Sequence, residues 1–242
     1  MHTRLFTLIV TGSLAACGGG GALDPGAGDD PGTGTATLVV TGNISAQAHL
    51  TNALTAADFD TSFSVRITLN TQTVMTGTVT MTSSSGTYPL TFHPDGNQNQ
   101  QGRWTGMAPA YDEVYRLDVD SGVDNVHNVR IDGPSLHSFS APTAGAQIDS
   151  TMPTVITWKA NDAADTAALR TDQIDNLAIP DTGSYMLAAG SLKSAKDKAE
   201  PNTIRLTRTN RVTPAGGAAG SELAASVENE IDVVALINPN AP

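Results

Sequence analysis

The chain has one cysteine, Cys17, in 242 residues. No disulfide can form within it, so the fold has to rest on its hydrophobic core. Basic side chains are scarce: 13 Lys and Arg stand against 24 Asp and Glu, a formal net charge of −11. That balance argues against nucleic acid, whose phosphates need Lys and Arg, and against docking on anionic lipid by charge alone. Charged residues are only 15% of the chain, too few for long salt-bridged helices. The abundance of Thr, Ser, Ala, Gly and Val instead favours strands and turns. Beyond the first sixteen residues no apolar run approaches the ~20 residues of a membrane-spanning helix. His2, His49, His93, His127 and His137 have no His or Cys partner at zinc-ligand spacing. Neither a G-x-S-x-G elbow nor a phosphate-cradling glycine loop is present. The composition implies no cofactor and no recognisable enzyme.

The start of the chain is more specific. Arg4 precedes an apolar run from Leu5 to Ala16, the pattern of a secretory signal peptide. Leu14-Ala15-Ala16-Cys17, followed by Gly18-Gly19-Gly20-Gly21, resembles the lipobox and tether of bacterial lipoproteins. The resemblance implies cleavage after residue 16, a diacylglyceryl thioether on Cys17 and acylation of the freed amine. Two or more acyl chains hold a protein stably to a membrane where one does not. Gly18 rather than Asp follows the cysteine, which by the enterobacterial sorting rule implies the outer membrane. Residues 17–36 are rich in Gly, Pro and Asp with almost nothing to bury, and predict a disordered tether.

Order is expected from about Thr37. Phe63, Val65, Ile67 and Leu69 alternate with Ser64, Arg66 and Thr68, the period of a half-buried strand. Met75, Val79 and Met81, then Tyr88, Leu90 and Phe92, extend this pattern up to a turn at His93-Pro94-Asp95-Gly96-Asn97. Trp104 marks a strand, Tyr115, Leu117 and Val119 another, and Asp120-Ser121-Gly122 a turn into a last one. Strands at this spacing suggest a sandwich. Gly133-Pro134 is the expected boundary, because proline interrupts a ladder. Pro142, Gly145 and Val155-Ile156-Thr157-Trp158 resemble the opening of bacterial immunoglobulin-like and fibronectin type III-like domains, where an early strand ends on a core tryptophan. Residues 161–171 read as a helical turn or a wide loop, 191–199 as a short polar helix, and Leu223–Ile237 as a last strand or hairpin with an unplaced turn near Glu228-Asn229-Glu230.

Several stretches carry candidate chemistry. Asp181-Thr182-Gly183-Ser184 copies the aspartic-protease tetrapeptide, with Asp120-Ser121-Gly122 as a conceivable mate. Paired catalysis needs two matching lobes, and these are ordinary turn residues. Asp118, Asp120 and Asp124 around Gly122 are a weak calcium candidate, since Ca²⁺ takes several oxygens on a tight loop; the competing reading is a solvated turn. Lys193, Lys196, Lys198, Arg205, Arg208 and Arg211 form the one basic stretch. Read for chemistry they are forks for an anionic glycan or headgroup; read for structure they pair with local acids. Strand parity places Arg208 in register with Ile204 and Leu206, so either a bulge intervenes or Arg208 is paired inside. Trp104 and Trp158 sit in alternating apolar sets, which favours the core over sugar stacking.

The expected protein is therefore all-β: leader 1–16, lipidated Cys17 and tether 17–36, and two immunoglobulin-like β-sandwich domains in tandem, 37–132 and 133–242. Its expected role is a non-catalytic display or interaction module, held to the outer membrane by lipid and contacting an envelope protein or glycan. The alternatives are an envelope hydrolase or substrate-binding protein with an unrecognised site, and a purely structural spacer.

Overall fold

A computed structural model of the chain describes residues 23, 28–94 and 102–241. Cys17, the leader and the turn residues Asp95-Gly96-Asn97 lie outside the described residues. Among the described residues, apart from a single helical turn, Ala56–Asp58, the regular structure is β. Three sheets form, of ten, five and three strands.

The ten-stranded sheet is the backbone of the molecule. Its main path runs Leu177–Ile179, Thr166–Arg170, Glu200–Val212, Glu222–Ala235, Leu38–Ala48, Phe59–Leu69, Arg103–Ala108, Thr91–His93. At one end it is covered by the five-stranded sheet, whose longer members are Thr78–Ser83, Val114–Asp120 and Asn125–Asp132. At the other it is covered by the three-stranded sheet Ser138–Ala141, Thr154–Lys159, Ser184–Leu187. Each cover closes its own apolar cluster against the large sheet. The first contains Phe63, Val65, Ile67, Trp104, Tyr115 and Leu117. The second contains Phe139, Ile156, Trp158, Leu169, Ile204 and Ile231. The alternation of 61–69 holds: Phe63, Val65 and Ile67 are buried and Leu69 partly so, while Arg66 faces out.

The closing hairpin belongs to both clusters. Strand Glu222–Ala235 is unbroken, so no turn falls near Asn229. Its first half supplies Leu223, Ala225 and Val227 to the first cluster and pairs in parallel with Leu38–Ala48. Its second half supplies Ile231, Val233 and Ala235 to the second. Strand Glu200–Val212 likewise gives Ile204 and Leu206 to the second cluster and Val212 to the first. The five-stranded cover ends at Asp132 and the three-stranded cover begins at Ser138, and the last hairpin runs under both.

Local expectations are corrected elsewhere. Residues 30–36, assigned to the tether, are docked: Asp30 bridges Arg130, and Thr33–Gly34 pair with His127 and Val126. The pairing is made by backbone, which needs no apolar side chain, so composition cannot show it. Gly34 and Gly216 touch here, where a Cβ on either would strike the other segment's backbone. Residues 166–170 form a strand, with Ala167 and Leu169 inward, where a helical turn or loop was expected. No helix forms over 191–199. Tyr88 and Phe92 lie on different sheets, the chain crossing over at Leu90. Strands Leu177–Ile179 and Ser184–Leu187 also belong to different sheets, so the turn between them spans the sandwich rather than closing a hairpin.

Candidate functional site: the polar seam between the clusters

On the inner face of the hairpin, side chains alternate in and out. In strand Glu222–Ala235 the inward row is apolar on both sides of Asn229, and in Glu200–Val212 it turns from Ile204 and Leu206 to Arg208. Arg208 is paired with Val227 and Leu206 with Asn229, so Arg208 and Asn229 stand one step apart at the handover between clusters. Both are fully buried, at 0% exposure. Burying a charge this deep is tolerated only with a charged partner and saturated hydrogen bonds.

Arg208 has both. Its Nε and Nη2 lie 2.9 and 2.8 Å from Asp181 Oδ2. Nη1 donates to the Ser135 carbonyl at 2.7 Å, and Nη2 donates to the Asp162 carbonyl. One side chain thus ties together the 133–137 linker, the loop before Thr166–Arg170 and the turn before Ser184–Leu187. Asp181 also accepts from Trp158 Nε1 at 3.0 Å and from the Ala164 N–H at 2.7 Å. Burial by itself would raise its carboxyl; the bond and charge of Arg208 and these two further donors outweigh it and hold it below the usual range. Of the two alternatives for Arg208, the inward pairing is the one realised, and Asp181 is its counter-ion rather than half of a protease dyad.

The linker is gripped from both sides. Tyr111 Oη donates to the Pro134 carbonyl at 2.8 Å, and Asn210 Nδ2 to the Asp132 carbonyl at 2.8 Å. A Cβ on Gly133 would strike the Tyr111 hydroxyl. Asn229 Nδ2 donates to the carbonyls of Ala53 (2.9 Å) and His137 (2.7 Å), and its Oδ1 accepts from the Ala53 N–H. His137 is 2% exposed and its Nε2 lies 3.0 Å from the Leu206 carbonyl. A carbonyl only accepts, so that nitrogen carries the proton, and Nδ1 is left buried without a partner. Burial, reinforced by the Arg208 charge, pulls the imidazole down to about 3.

Two hollows open on this seam and share Asp162 and Ala163. One, of about 250 Å³, is lined by Glu113, Asp132 and Asp162. The other, of about 630 Å³, borders Trp158, Lys159 and Arg208. Burial pushes the Glu113 carboxyl up, the Leu136 N–H opposing and the Asp132 and Asp162 charges adding to the rise. Among the described residues no group of three His, Cys, Asp or Glu could hold a metal ion.

The remaining candidates are separately engaged. Asp118 meets Arg116 at 3.1 Å, His127 at 3.6 Å and the Asn128 N–H at 2.9 Å. Asp120 accepts from the Gly122 N–H at 2.8 Å, and Asp124 from the Thr37 hydroxyl. The basic stretch is largely consumed by acids: Lys193 and Lys198 at Glu200, Arg205 at Glu230, Arg211 at Glu222. Trp104 and Trp158 are buried, at 6% and 4% exposure. Sequence reasoning missed Asn229, His137 and Ser135. Asn229 reads as a turn residue, and nothing local marks the other two as inward.

The sheets define an all-β protein of two sandwiches that share one large sheet and meet at a polar joint. No family model matches the chain, and no curated protein does. Among solved structures it is similar to the fibronectin(III)-like modules of Clostridium thermocellum CbhA, at 10% identity over 83% of this chain and 94% of that one, TM-score 0.28. It is also similar to a C-terminal fragment of intimin in complex with the intimin-binding domain of its translocated receptor, at 12% identity over 80% and 63%, TM-score 0.24. A third likeness is to the FN1–FN3 domains of chicken CNTN1, at 9% identity over 77% and 67%, TM-score 0.21. At these scores none carries an argument about function.

Proposed function

We propose that the protein is a lipid-anchored component of a bacterial cell envelope, and that its folded body is a non-catalytic display and interaction module for an envelope protein or glycan. The observation that carries this reading is Leu14-Ala15-Ala16-Cys17, with the chain's one cysteine at the position the lipid chemistry needs. In that reading the lipid supplies location. Among the described residues, backbone pairing starts at Asp30. The outer membrane is the proposed site, on the strength of Gly18.

The seam supports a non-catalytic role. Each nitrogen of the Arg208 guanidinium is bonded within the fold, and its counter-ion is committed too. The second reading is a structural spacer, favoured by the same feature, since a gripped linker holds the far half at a fixed angle. Cys17→Ser tests the anchor. The wild-type chain is expected to sediment with outer-membrane fractions and to carry acyl mass on its N-terminal peptide, and the variant to be released. Unchanged membrane partition of Cys17→Ser overturns it.

A further inference from the structure

On the face of the ten-stranded sheet turned away from both cores lies a cleft of about 310 Å³ lined by Val39, Thr41, Arg66, Thr68 and Thr71. Strand register builds it: Thr41 lies opposite Arg66 and Val39 opposite Thr68. Two observations set this cleft apart. The first is charge. Arg103, Arg116, Arg205, Arg208 and Arg211 are each engaged by another side chain, whereas the guanidinium of Arg66, like that of Arg170, has no hydrogen-bond or ion-pair partner among the described residues, and Arg66 lines this hollow. The carboxylate in register across Thr41 is Glu222, and it is held by Arg211 at 3.4 Å.

The second is backbone strain. Leu69 pairs with Gln72, so Asn70 and Thr71 make a two-residue hairpin turn, with φ of +48° and +69°. Such a turn with both central residues left-handed favours Asn-Gly. Asparagine is present, but the glycine position holds threonine, a β-branched residue for which that conformation is a genuine outlier. Residues held in such conformations cluster at ligand sites, and here the Thr71 side chain lines the cleft beside Arg66.

We propose that the cleft binds an acidic sugar unit through its carboxylate. It deepens the glycan side of the reading above and rests on it. The guanidinium fork of Arg66 matches a carboxylate in geometry and charge. The hydroxyls of Thr41, Thr68 and Thr71 exchange hydrogen bonds with ring hydroxyls. Val39 and the threonine methyls supply an apolar floor for the C–H face of the ring. The volume is at the small end of ligand sites, which suits one or two sugar rings rather than a protein segment.

The test is an NMR titration of the full chain in detergent with D-glucuronate, D-glucose and inorganic phosphate. Glucuronate is expected to bind at least tenfold more tightly than either of the others. Arg66→Gln should weaken glucuronate at least tenfold. Thr71→Gly should weaken it too while raising Tm, because glycine relieves the strain. Equal response to glucuronate and glucose, an equal response to phosphate, or glucuronate binding untouched by Arg66→Gln overturns the proposal. So does a Thr71→Gly variant that gains stability and keeps full binding. These outcomes are independent of membrane release by Cys17→Ser, so a failed cleft leaves the anchor standing and a failed anchor leaves the titration readable.

Discussion

The two apolar clusters close by different means. The first is aromatic: Phe63 meets Tyr88 and Tyr115 at ring separations of 5.5 and 5.7 Å, Tyr111 meets Tyr115 at 6.1 Å, and Phe92 meets Trp104 at 5.4 Å. Interlocked rings fill volume and need few polar bonds. The second is built mostly of smaller aliphatic residues, with Phe139 and Trp158 as its buried aromatics. Where it meets the first, the space between linker, loop and turn is filled by Arg208, among the largest fully buried side chains in the molecule. A half rich in rings can be sealed by packing. A half poor in them is sealed here by a charge that must be bonded in every direction, which also fixes the angle of the joint.

That contrast is broken most severely at Arg208. Arg208→Met leaves Asp181, 5% exposed, as a buried charge without its partner, and frees the carbonyls of Ser135 and Asp162. Removing one member of a buried pair costs about 3–5 kcal/mol, and urea unfolding should show a loss of that size. Adding Asp181→Asn should cost less than the two single losses combined, because the uncompensated charge is then gone.

The next effect is on acid stability. His137 has a folded pKa of about 3 against an ordinary 6.5, and Asp181 is also depressed below 3.8. In both cases the unfolded chain takes up the proton first. Stability is therefore full above pH 6.5, falls as pH drops from 6.5 towards 3, and falls faster below 3.8. For the histidine the loss is at most about 5 kcal/mol. His137→Gln, which keeps a donor for the Leu206 carbonyl, should flatten the pH 3–6.5 slope; a slope unchanged by that substitution would remove His137 from the account. The aromatic half has the opposite sensitivity. Burial raises the phenols of Tyr111 and Tyr115, so its contribution is present below pH 10 and lost above it. The smallest effect is at the grip on the linker: Tyr111→Phe removes the bond to the Pro134 carbonyl and should cost about 1 kcal/mol with little change in structure by circular dichroism.

Much of this was legible in the sequence where side chains carry the signal. The alternation through 61–69, the core tryptophans and the inward parity of Arg208 all follow from a period of two. What was hidden is carried by backbone or by distance along the chain. Docking of 30–36 leaves no apolar signature. The parallel pairing of 222–228 with 41–47 joins segments remote in sequence. Asn229 reads as a turn residue between two glutamates, yet it is a buried strand residue whose amide answers the backbone of Ala53 and His137. Gly133 and Pro134 are buried and the Pro134 carbonyl is bonded to Tyr111, so limited proteolysis should spare this linker.

The central claim is that the hairpin 200–235 makes the two halves unfold together. The chain has two tryptophans, and one lies in each cluster. In Trp158→Phe the fluorescence reports the first half, and in Trp104→Phe the second, while far-UV circular dichroism reports both. Within each variant the fluorescence and dichroism midpoints in urea are predicted to coincide. Separate midpoints in either variant, with one half melting while the other keeps its sheet signal, would contradict the account.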